Sequence, residues 1–219
     1  MQNLFLLVSG EHEVLPVSEV KAILEAEGYT YEIVENLVQV LRLRADPDCV
    51  NVLKRRAAFT RMCAVELFSC EAKLASIVKA VQSANLQTFL LENESFAVRV
   101  KHVKEYSQGI NGMALEGKIG SLIIDMRPEA KVRLRGPDKT FVGVLTGDRF
   151  VFGTKLAEIP AKPFVERRPR KKPFFHPSAM TAKLARCMVN LARPKNGEVV
   201  LDPFCGTGTM LIEAKLIGC

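Results

Sequence analysis

The sequence predicts an α/β protein, and three observations along the chain support this fold class. Over about the first 90 residues, apolar patterns follow one another in β-α-β-β-α-β order, which is typical of a ferredoxin-like α+β region. A second group of strand and helix patterns lies between Ser95 and Phe152. From Glu198 onward, a strand, a glycine-rich turn and a helix follow in succession, as at the start of a Rossmann-like domain.

The composition is that of a folded protein with an uneven charge distribution. Hydrophobic residues make up 48% of the 219 residues, which is enough for buried cores. No apolar run reaches the length of a membrane span, so we expect a cytoplasmic protein with no membrane segment. The net charge is +7 although residues 1–40 contain seven Glu and one Lys. This separation suits a face that binds a polyanion, and an ordinary solvated basic surface is the alternative.

The six cysteines do not form a recognisable site. None of them belongs to a C-x-x-C pair, and their spacing fits neither a zinc site nor a disulfide framework. We therefore expect no metal, and we interpret most of the cysteines as small buried hydrophobic residues. Cys205 lies in the glycine-rich turn, where we expect a cysteine because its side chain is small and not because its thiol is reactive.

Periodicity defines the elements of the first region. Leu4–Val8 is apolar throughout, which indicates a strand buried on both faces. A helix from about Val17 ends at Gly28, because glycine readily adopts the conformation that closes a helix. The remaining elements are a hairpin of Tyr29–Val34 and Leu37–Leu43 with its turn at Glu35-Asn36, a helix at Asp48–Ala58, a strand at Arg61–Phe68 and a helix with Leu74, Ile77, Val78 and Val81 on one face.

The second unit begins with a strand in which Phe96, Val98 and Val100 alternate with more polar positions. The following elements are a helix with Leu115, Ile119, Leu122 and Ile123 that ends near Met126, and closing strands at Val132–Leu134, Phe141–Leu145 and Phe150–Phe152. We therefore divide the chain into a ferredoxin-like region (1–90), an α/β domain core (91–159), a linker (160–175) and the start of a Rossmann-like domain (176–219).

The linker is basic and rich in proline. Residues 160–175 contain six Lys or Arg residues, one acid and four prolines. Prolines at this density disfavour a helix and favour an extended, semi-rigid segment. Such a segment suits contact with nucleic acid, although a solvated linker would have the same composition.

The glycine-rich turn predicts a binding site for S-adenosyl-L-methionine. Gly206 and Gly208 follow the acid that ends the predicted strand, Asp202. A dinucleotide fingerprint would require glycine where Leu211 stands, and the chain contains no P-loop. S-adenosyl-L-methionine carries an ammonium group for Asp202 and a carboxylate for the N–H groups at a helix start.

The run Leu201–Ala214 resembles the first motif of the class I methyltransferases, in particular those that methylate the exocyclic amine of guanine in RNA. The resemblance implies that Asp202 holds the ammonium group, while Gly206 and Gly208 allow close backbone contacts. The implied cofactor-binding residues are Asp202, Pro203, Phe204, Cys205, Gly206, Thr207, Gly208, Thr209 and His176.

A second resemblance concerns Phe96–His102, Leu115–Ile123, Val132–Leu134 and Pro137–Val142, which together look like a THUMP domain. THUMP domains occur in RNA-modifying enzymes and bind RNA, so the resemblance implies tRNA as a partner. Basic side chains near these segments and in the linker suit phosphate contacts, which give affinity without reading sequence. The candidate RNA-binding residues are Arg99, Lys101, Lys104, Arg127, Lys131, Arg133, Arg135, Lys139, Arg167, Arg168, Arg170, Lys171 and Lys172.

The segment Arg167–Met180 resembles the one that opens the methyltransferase domain of archaeal and eukaryotic enzymes modifying guanine 10 of tRNA. In that family Phe175-His-Pro177 enters the cofactor pocket, so His176 is a candidate contact of cofactor or substrate. A capping or packing role at a domain joint is the alternative. The next helix is expected to bury Met180, Leu184, Met188 and Leu191.

The catalytic motif of this family is not found in the chain. The family uses an Asp-Pro-Pro-Tyr-like motif to hold the guanine, and neither Asp46-Pro47 nor Asp202-Pro203 continues that way. We therefore expect a fragment with no catalytic residues, inactive alone and loosely packed from about residue 176. An rRNA or other-position tRNA guanine methyltransferase, or a stand-alone RNA-binding module, remain alternatives, and the sequence indicates no oligomeric state.

Overall fold

A single mixed sheet organises the computed structural model, which describes residues 1–104, 109–171, 173–174 and 176–219. Its strands among these residues are β1 (Gln2–Val8), β2 (Tyr31–Leu37), β3 (Val40–Ala45), β4 (Thr60–Glu71), β5 (Ser95–His102), β6 (Lys131–Val132), β7 (Lys139–Thr146) and β8 (Arg149–Glu158). The order across the sheet is β2-β3-β1-β4-β8-β7-β5-β6. Strand β5 is parallel to β6 and β7, and the other neighbours are antiparallel. The predicted α/β fold class is confirmed.

The helices pack around this sheet and follow it in the chain. They are α1 (Leu15–Ala26), α2 (Cys49–Arg56), α3 (Leu74–Ser83), α4 (Gly112–Met126), α5 (Lys162–Glu166), α6 (Ala182–Leu191) and α7 (Thr209–Leu216), with short 3₁₀ helices at Leu86–Thr88 and Pro169–Lys171. The ferredoxin-like order is therefore present as β1-α1-β2-β3-α2-β4. Within the parts of the chain described here, no helix has the length and apolar character needed to cross a membrane.

One sheet joins the ferredoxin-like region to the second unit, because β4 pairs with β1 on one side and with β8 on the other. Leu4 and Leu6 of β1 face the core under α1 and α2, whereas Phe5 and Leu7 face a separate cluster on the opposite side. The prediction that this strand is buried on both faces is confirmed. The core of the second unit lies between its strands and helices α3 and α4.

Two predicted strand positions are wrong. The hairpin turn falls at Val38-Gln39, where Gln39 has φ +59°, and not at Glu35-Asn36. Glu35 stays in β2 because its carboxylate pairs across the hairpin with Arg42 of β3. The strand predicted at Val132–Leu134 shortens to β6, and Leu134 is exposed.

The linker is not extended, which corrects the expectation from its prolines. Helix α5 and the 3₁₀ helix at Pro169–Lys171 occupy eight of its sixteen residues. Pro163 is compatible with α5 because it lies in the first turn, where its missing N–H would have had no helical partner. The linker therefore turns back toward α6, against which α5 packs.

Helix α6 buries a different face from the one predicted. Its buried positions are Ala182, Ala185, Arg186, Cys187, Val189 and Asn190, while Met188 is exposed and Met180 precedes the helix. The reason is that α6 lies between α1 on one side and α7 on the other. Helix α6 is thus packed against the body of the protein, contrary to the loose packing expected from residue 176, whereas Val199, Leu201 and Phe204 farther along are exposed as expected.

Candidate functional site

The glycine-rich turn forms a tight loop before α7. Gly206 and Gly208 have φ of +50° and +70°, a left-handed conformation that strains any other residue. The Gly208 N–H donates to the Cys205 carbonyl at 2.7 Å, and α7 starts at the next residue. The loop therefore presents backbone groups, with no bulky side chain at its two glycines, beside the positive end of a helix dipole.

The segment leading into this loop is not a strand. Val199 and Leu201 are 95% and 85% exposed, and no strand pairs with them within the described ranges. The prediction of a short buried strand is wrong, because a strand of a parallel sheet is stable only with hydrogen-bonded neighbours. Asp202 is nevertheless fixed locally, since its Oδ1 accepts from the Phe204 N–H at 3.0 Å.

The loop and the segment around His176 enclose one cavity of about 340 Å³. His176 is held by its own neighbour, with Nδ1 2.7 Å from the Ser178 Oγ. Seven of the predicted cofactor-binding residues line the cavity, namely His176, Asp202, Phe204, Cys205, Gly206, Thr207 and Thr209. Pro203 and Gly208 are not in the lining and belong to the turn itself.

The cavity has the chemistry of a site for a small zwitterion. Asp202 is the acidic side chain of the described lining, so it can pair with an ammonium group. The N–H groups at the start of α7 suit a carboxylate. Small residues such as Cys205 and Gly206 leave room for a ligand between them. These residues therefore fit S-adenosyl-L-methionine.

The candidate RNA-binding residues of the sheet fall into two groups. The Arg99 guanidinium donates to the Leu134 carbonyl at 2.8 Å, and that of Arg127 donates to the Leu90 carbonyl at 2.7 Å, so both hold local structure. Lys139 lies 3.9 Å from Glu94, and Lys101 is half-buried. The exposed members are Lys104, Lys131, Arg133 and Arg135. Whether they contact RNA stays a prediction.

The basic residues of the linker also fall into two groups. Arg168, Arg170 and Lys171 are exposed, whereas Arg167 is directed into the protein toward Glu213; Lys172 lies outside the described residues. Arg168 and Arg170 line a cavity of about 620 Å³ between the linker and the start of α6. This linker cavity shares His176 and Ala179 with the cavity at the glycine loop, so the two are adjacent.

Sequence reasoning missed a buried polar junction between the sheet and the methyltransferase-like region. Glu19 of α1 accepts from the N–H groups of Ala58 and Phe59 at 3.0 and 2.8 Å, and from Asn190 Nδ2 at 2.8 Å. Burial raises the pKa of Glu19, and these three donors oppose that shift. Arg56 Nη2 donates to the Pro194 carbonyl at 3.1 Å. The sequence signal is a charged or amide side chain on the apolar face of each helix.

Glu213 and Arg186 extend this junction to α7. Arg186 Nη2 lies 2.7 Å from Glu213 Oε2, and both side chains are almost fully buried. Burial lowers the pKa of Arg186, and the Glu213 carboxylate opposes this effect. The helix that follows the glycine loop is therefore fixed to the rest of the protein by ionic contacts.

Comparison with known proteins places two domain families on the chain. Residues 71–154 match the THUMP domain, and residues 169–219 match the RMKL-like methyltransferase domain UPF0020. The THUMP match thus begins at the end of β4, inside the region that we assigned to the ferredoxin-like unit.

Three curated relatives are tRNA methyltransferases by name. The chain is 35% identical to the tRNA (guanine(10)-N2)-dimethyltransferase of Methanothermobacter thermautotrophicus over 99% of its length and 62% of the relative's. The chain is 34% identical to the enzyme of that name from Methanocaldococcus jannaschii, over 97% of its own length and 64% of the relative's. A tRNA (guanine(6)-N2)-methyltransferase of M. jannaschii is 31% identical over 66% of the chain and 38% of the relative. The chain thus spans less than two thirds of each relative.

Solved structures share the fold. SMU.472, solved in complex with SAH, has a TM-score of 0.63 at 18% identity, with 99% of this chain and 55% of that one covered. TrmN from Thermus thermophilus has a TM-score of 0.58 at 18% identity, with coverage of 97% and 61%. The chain therefore joins a THUMP domain to methyltransferase-domain sequence, and its resemblance to the THUMP-domain tRNA guanine-N2 methyltransferases is confirmed over nearly its whole length.

Proposed function

We propose that this chain is the amino-terminal part of a tRNA methyltransferase that uses S-adenosyl-L-methionine to methylate the exocyclic amine of guanine 10. The observation that carries the proposal is the cavity in which the glycine loop with Asp202 meets the segment of His176. Two relatives named for guanine 10 align with nearly the whole chain. Because the chain spans 62–64% of their length, the activity belongs to the longer protein.

The chain's own residues would bind and orient the cofactor, which supplies an electrophilic methyl group. The Asp202 carboxylate would pair with the cofactor ammonium, and the backbone around Gly206 and Gly208 would hold the cofactor carboxylate. His176, which lines the same cavity, would contact cofactor or substrate. Together these residues would bind and orient the cofactor.

The tRNA would lie across the exposed basic residues of the sheet and linker. Lys131, Arg133 and Arg135 project near its β6 edge, and Arg168 and Arg170 line the linker cavity beside the glycine loop. Phosphate contacts of this kind position RNA without reading its bases. The THUMP domain thus docks the tRNA, and the linker brings it to the cofactor.

Transfer to guanine requires groups that the 219 residues do not provide. The lone pair of the exocyclic amine is delocalised into the ring, so acceptors must hold its N–H groups while a side chain stacks on the base. The family's Asp-Pro-Pro-Tyr-like motif performs this role and is not part of the given sequence. We therefore propose that this chain binds tRNA and transfers no methyl group by itself.

A second candidate function is methylation of guanine at another position of tRNA. It is favoured by the relative named for guanine 6, which shares 31% identity with the chain. The extent of the matches favours guanine 10, since two relatives named for that position match 97–99% of the chain and the relative named for guanine 6 matches 66%.

Methyl transfer to position-specific tRNA variants tests the proposal. The full-length gene product is incubated with labelled S-adenosyl-L-methionine and tRNA in which inosine, which lacks the exocyclic amine, replaces guanine 10 or guanine 6. We expect transfer to be lost only with inosine 10, and loss only with inosine 6 would establish the second candidate. The 219-residue chain serves as the control and is expected to shift tRNA in a binding assay without labelling it; labelled tRNA would contradict its inactivity.

A further inference from the structure

Glu213, on the helix that follows the glycine loop, is shared between two arginines from different parts of the chain. Its carboxylate accepts from Arg167 Nε at 2.7 Å and from Arg167 Nη2 at 3.1 Å, a two-pronged contact with the end of α5. On its other side it lies 2.7 Å from Arg186 Nη2 of α6. One buried anion therefore connects the linker, α6 and α7.

The two arginines differ in how firmly they are held. Arg186 also lies 3.3 and 3.4 Å from the carbonyls of Arg55 and Arg56, at the carboxyl end of α2. Arg167 has no such carbonyl contact among the described residues. Its side chain is 27% exposed and stacks at 4.9 Å over the ring of Phe164, a linker residue that packs against the buried cluster around Phe59. The Arg186 contact is thus part of the fixed junction, and the Arg167 contact follows the linker.

Arg167 is adjacent to the residues that line the linker cavity. Arg168 and Arg170 face that cavity, while Arg167 turns to the opposite side and reaches α7. Glu213 lies five residues beyond Gly208, so it is one turn and a half from the glycine loop. Residues 167–170 therefore contact both the linker cavity, which we propose binds RNA, and α7, which follows the proposed cofactor loop.

We propose that the Arg167–Glu213 contact couples RNA bound at the linker to cofactor bound at the glycine loop, so that the two ligands bind cooperatively. This inference rests on the proposed function. RNA phosphates at Arg168 and Arg170 fix the linker in the position from which Arg167 holds α7, and a cofactor in the loop fixes α7 in the position that Arg167 requires. By linkage, each ligand raises the affinity of the other by the same factor.

The substitution Arg167→Gln separates coupling from folding. It removes the link between linker and loop but leaves Glu213 paired with Arg186, so no buried charge loses its only partner. Arg167→Lys keeps the charge without the two-pronged geometry. Lys162→Gln is the matched control, because Lys162 is a linker cation that lies 3.8 Å from exposed Glu166 and does not reach α7.

The test measures the affinity of the full-length gene product for S-adenosylhomocysteine with and without saturating tRNA. For the wild type and Lys162→Gln we expect tRNA to raise this affinity about fivefold or more, the lower end of typical coupling between sites. For Arg167→Gln, the ratio of the affinity with tRNA to the affinity without tRNA should fall to within about twofold of one. Arg167→Lys should give an intermediate ratio. A wild-type ratio retained by Arg167→Gln would overturn the proposal.

The outcomes also separate this inference from the proposed function. If the wild type binds both ligands and their affinities are independent, the coupling is wrong and the methyltransferase assignment stands. If the wild type binds neither tRNA nor S-adenosylhomocysteine, the proposed function fails and the coupling with it. The melting temperature of each variant without ligands shows whether loss of the tRNA-dependent increase in affinity reflects lost coupling or unfolding.

Discussion

The sheet body, residues 2–158, and the terminal region, residues 182–219, are stabilised by different interactions. Large aromatic and aliphatic side chains fill the sheet body, with Phe5, Phe96 and Phe152 fully buried. The terminal region has only a small described apolar cluster of its own around Val189, Ala214 and Ile217. Its attachment to the body combines a small apolar cluster of Ala58, Phe59 and Cys187 with buried polar groups such as Arg186 and Asn190.

Stability and orientation therefore have separate sources in this protein. Burial of apolar surface is favourable but non-directional, so it stabilises the sheet body without fixing an angle between parts. A buried carboxylate between two guanidinium groups contributes little net stability, yet it is satisfied in one geometry only. The polar junction therefore fixes the orientation of the glycine loop relative to the sheet body.

The largest expected effect comes from the core of the sheet body. Phe152 is fully buried, and its ring centroid lies 5.2–5.9 Å from those of Phe68, Phe141 and Phe150. Phe152→Ala should lower the free energy of unfolding by roughly 3–5 kcal/mol in chemical denaturation followed by circular dichroism. The control Phe174→Ala alters a side chain that is 84% exposed and should have almost no effect. Equal losses in the two variants would refute the division into core and surface.

The next effect sharpens the description of the polar junction. Glu213→Gln leaves Arg167 and Arg186 facing each other without their shared anion, so the terminal region should open locally at a cost of about 3 kcal/mol. Hydrogen exchange should accelerate in α7 and remain unchanged in β1. Lys215→Gln, an exposed change on the same helix, is the control. Unchanged exchange of α7 in Glu213→Gln would show that the ion pairs do not hold this region.

The smallest effect concerns an exposed contact at the edge of the same junction. A hydrogen bond from Arg193 lowers the pKa of Glu25 below its ordinary value of 4.5. The stabilisation is therefore present above pH 4.5 and is lost as the pH falls through the folded-state pKa. Because both side chains are exposed, Glu25→Gln should cost less than about 1 kcal/mol near neutral pH. Urea unfolding of both proteins measures this difference, and a difference that persisted in acid would contradict the assignment.

Local chemistry alone determined several features of this protein. The periodicity of Leu4–Val8 and of the helix around Ile119 predicted buried elements that the structure contains. The spacing of Asp202, Gly206 and Gly208 predicted a loop that closes onto a helix, because only glycine adopts the required backbone angles without strain. These features are readable from sequence because they depend on residues close together in the chain.

Contacts between distant residues were decided by the tertiary structure. The sequence does not show that β4 joins two units into one sheet, nor that Arg167 reaches Glu213, since pairing across such separations depends on how whole elements pack. Val199–Leu201 has the composition of a strand but does not form one, because a strand requires neighbours that composition does not supply. Sequence therefore fixed the local shape of the loop, and tertiary packing alone determined what holds it in place.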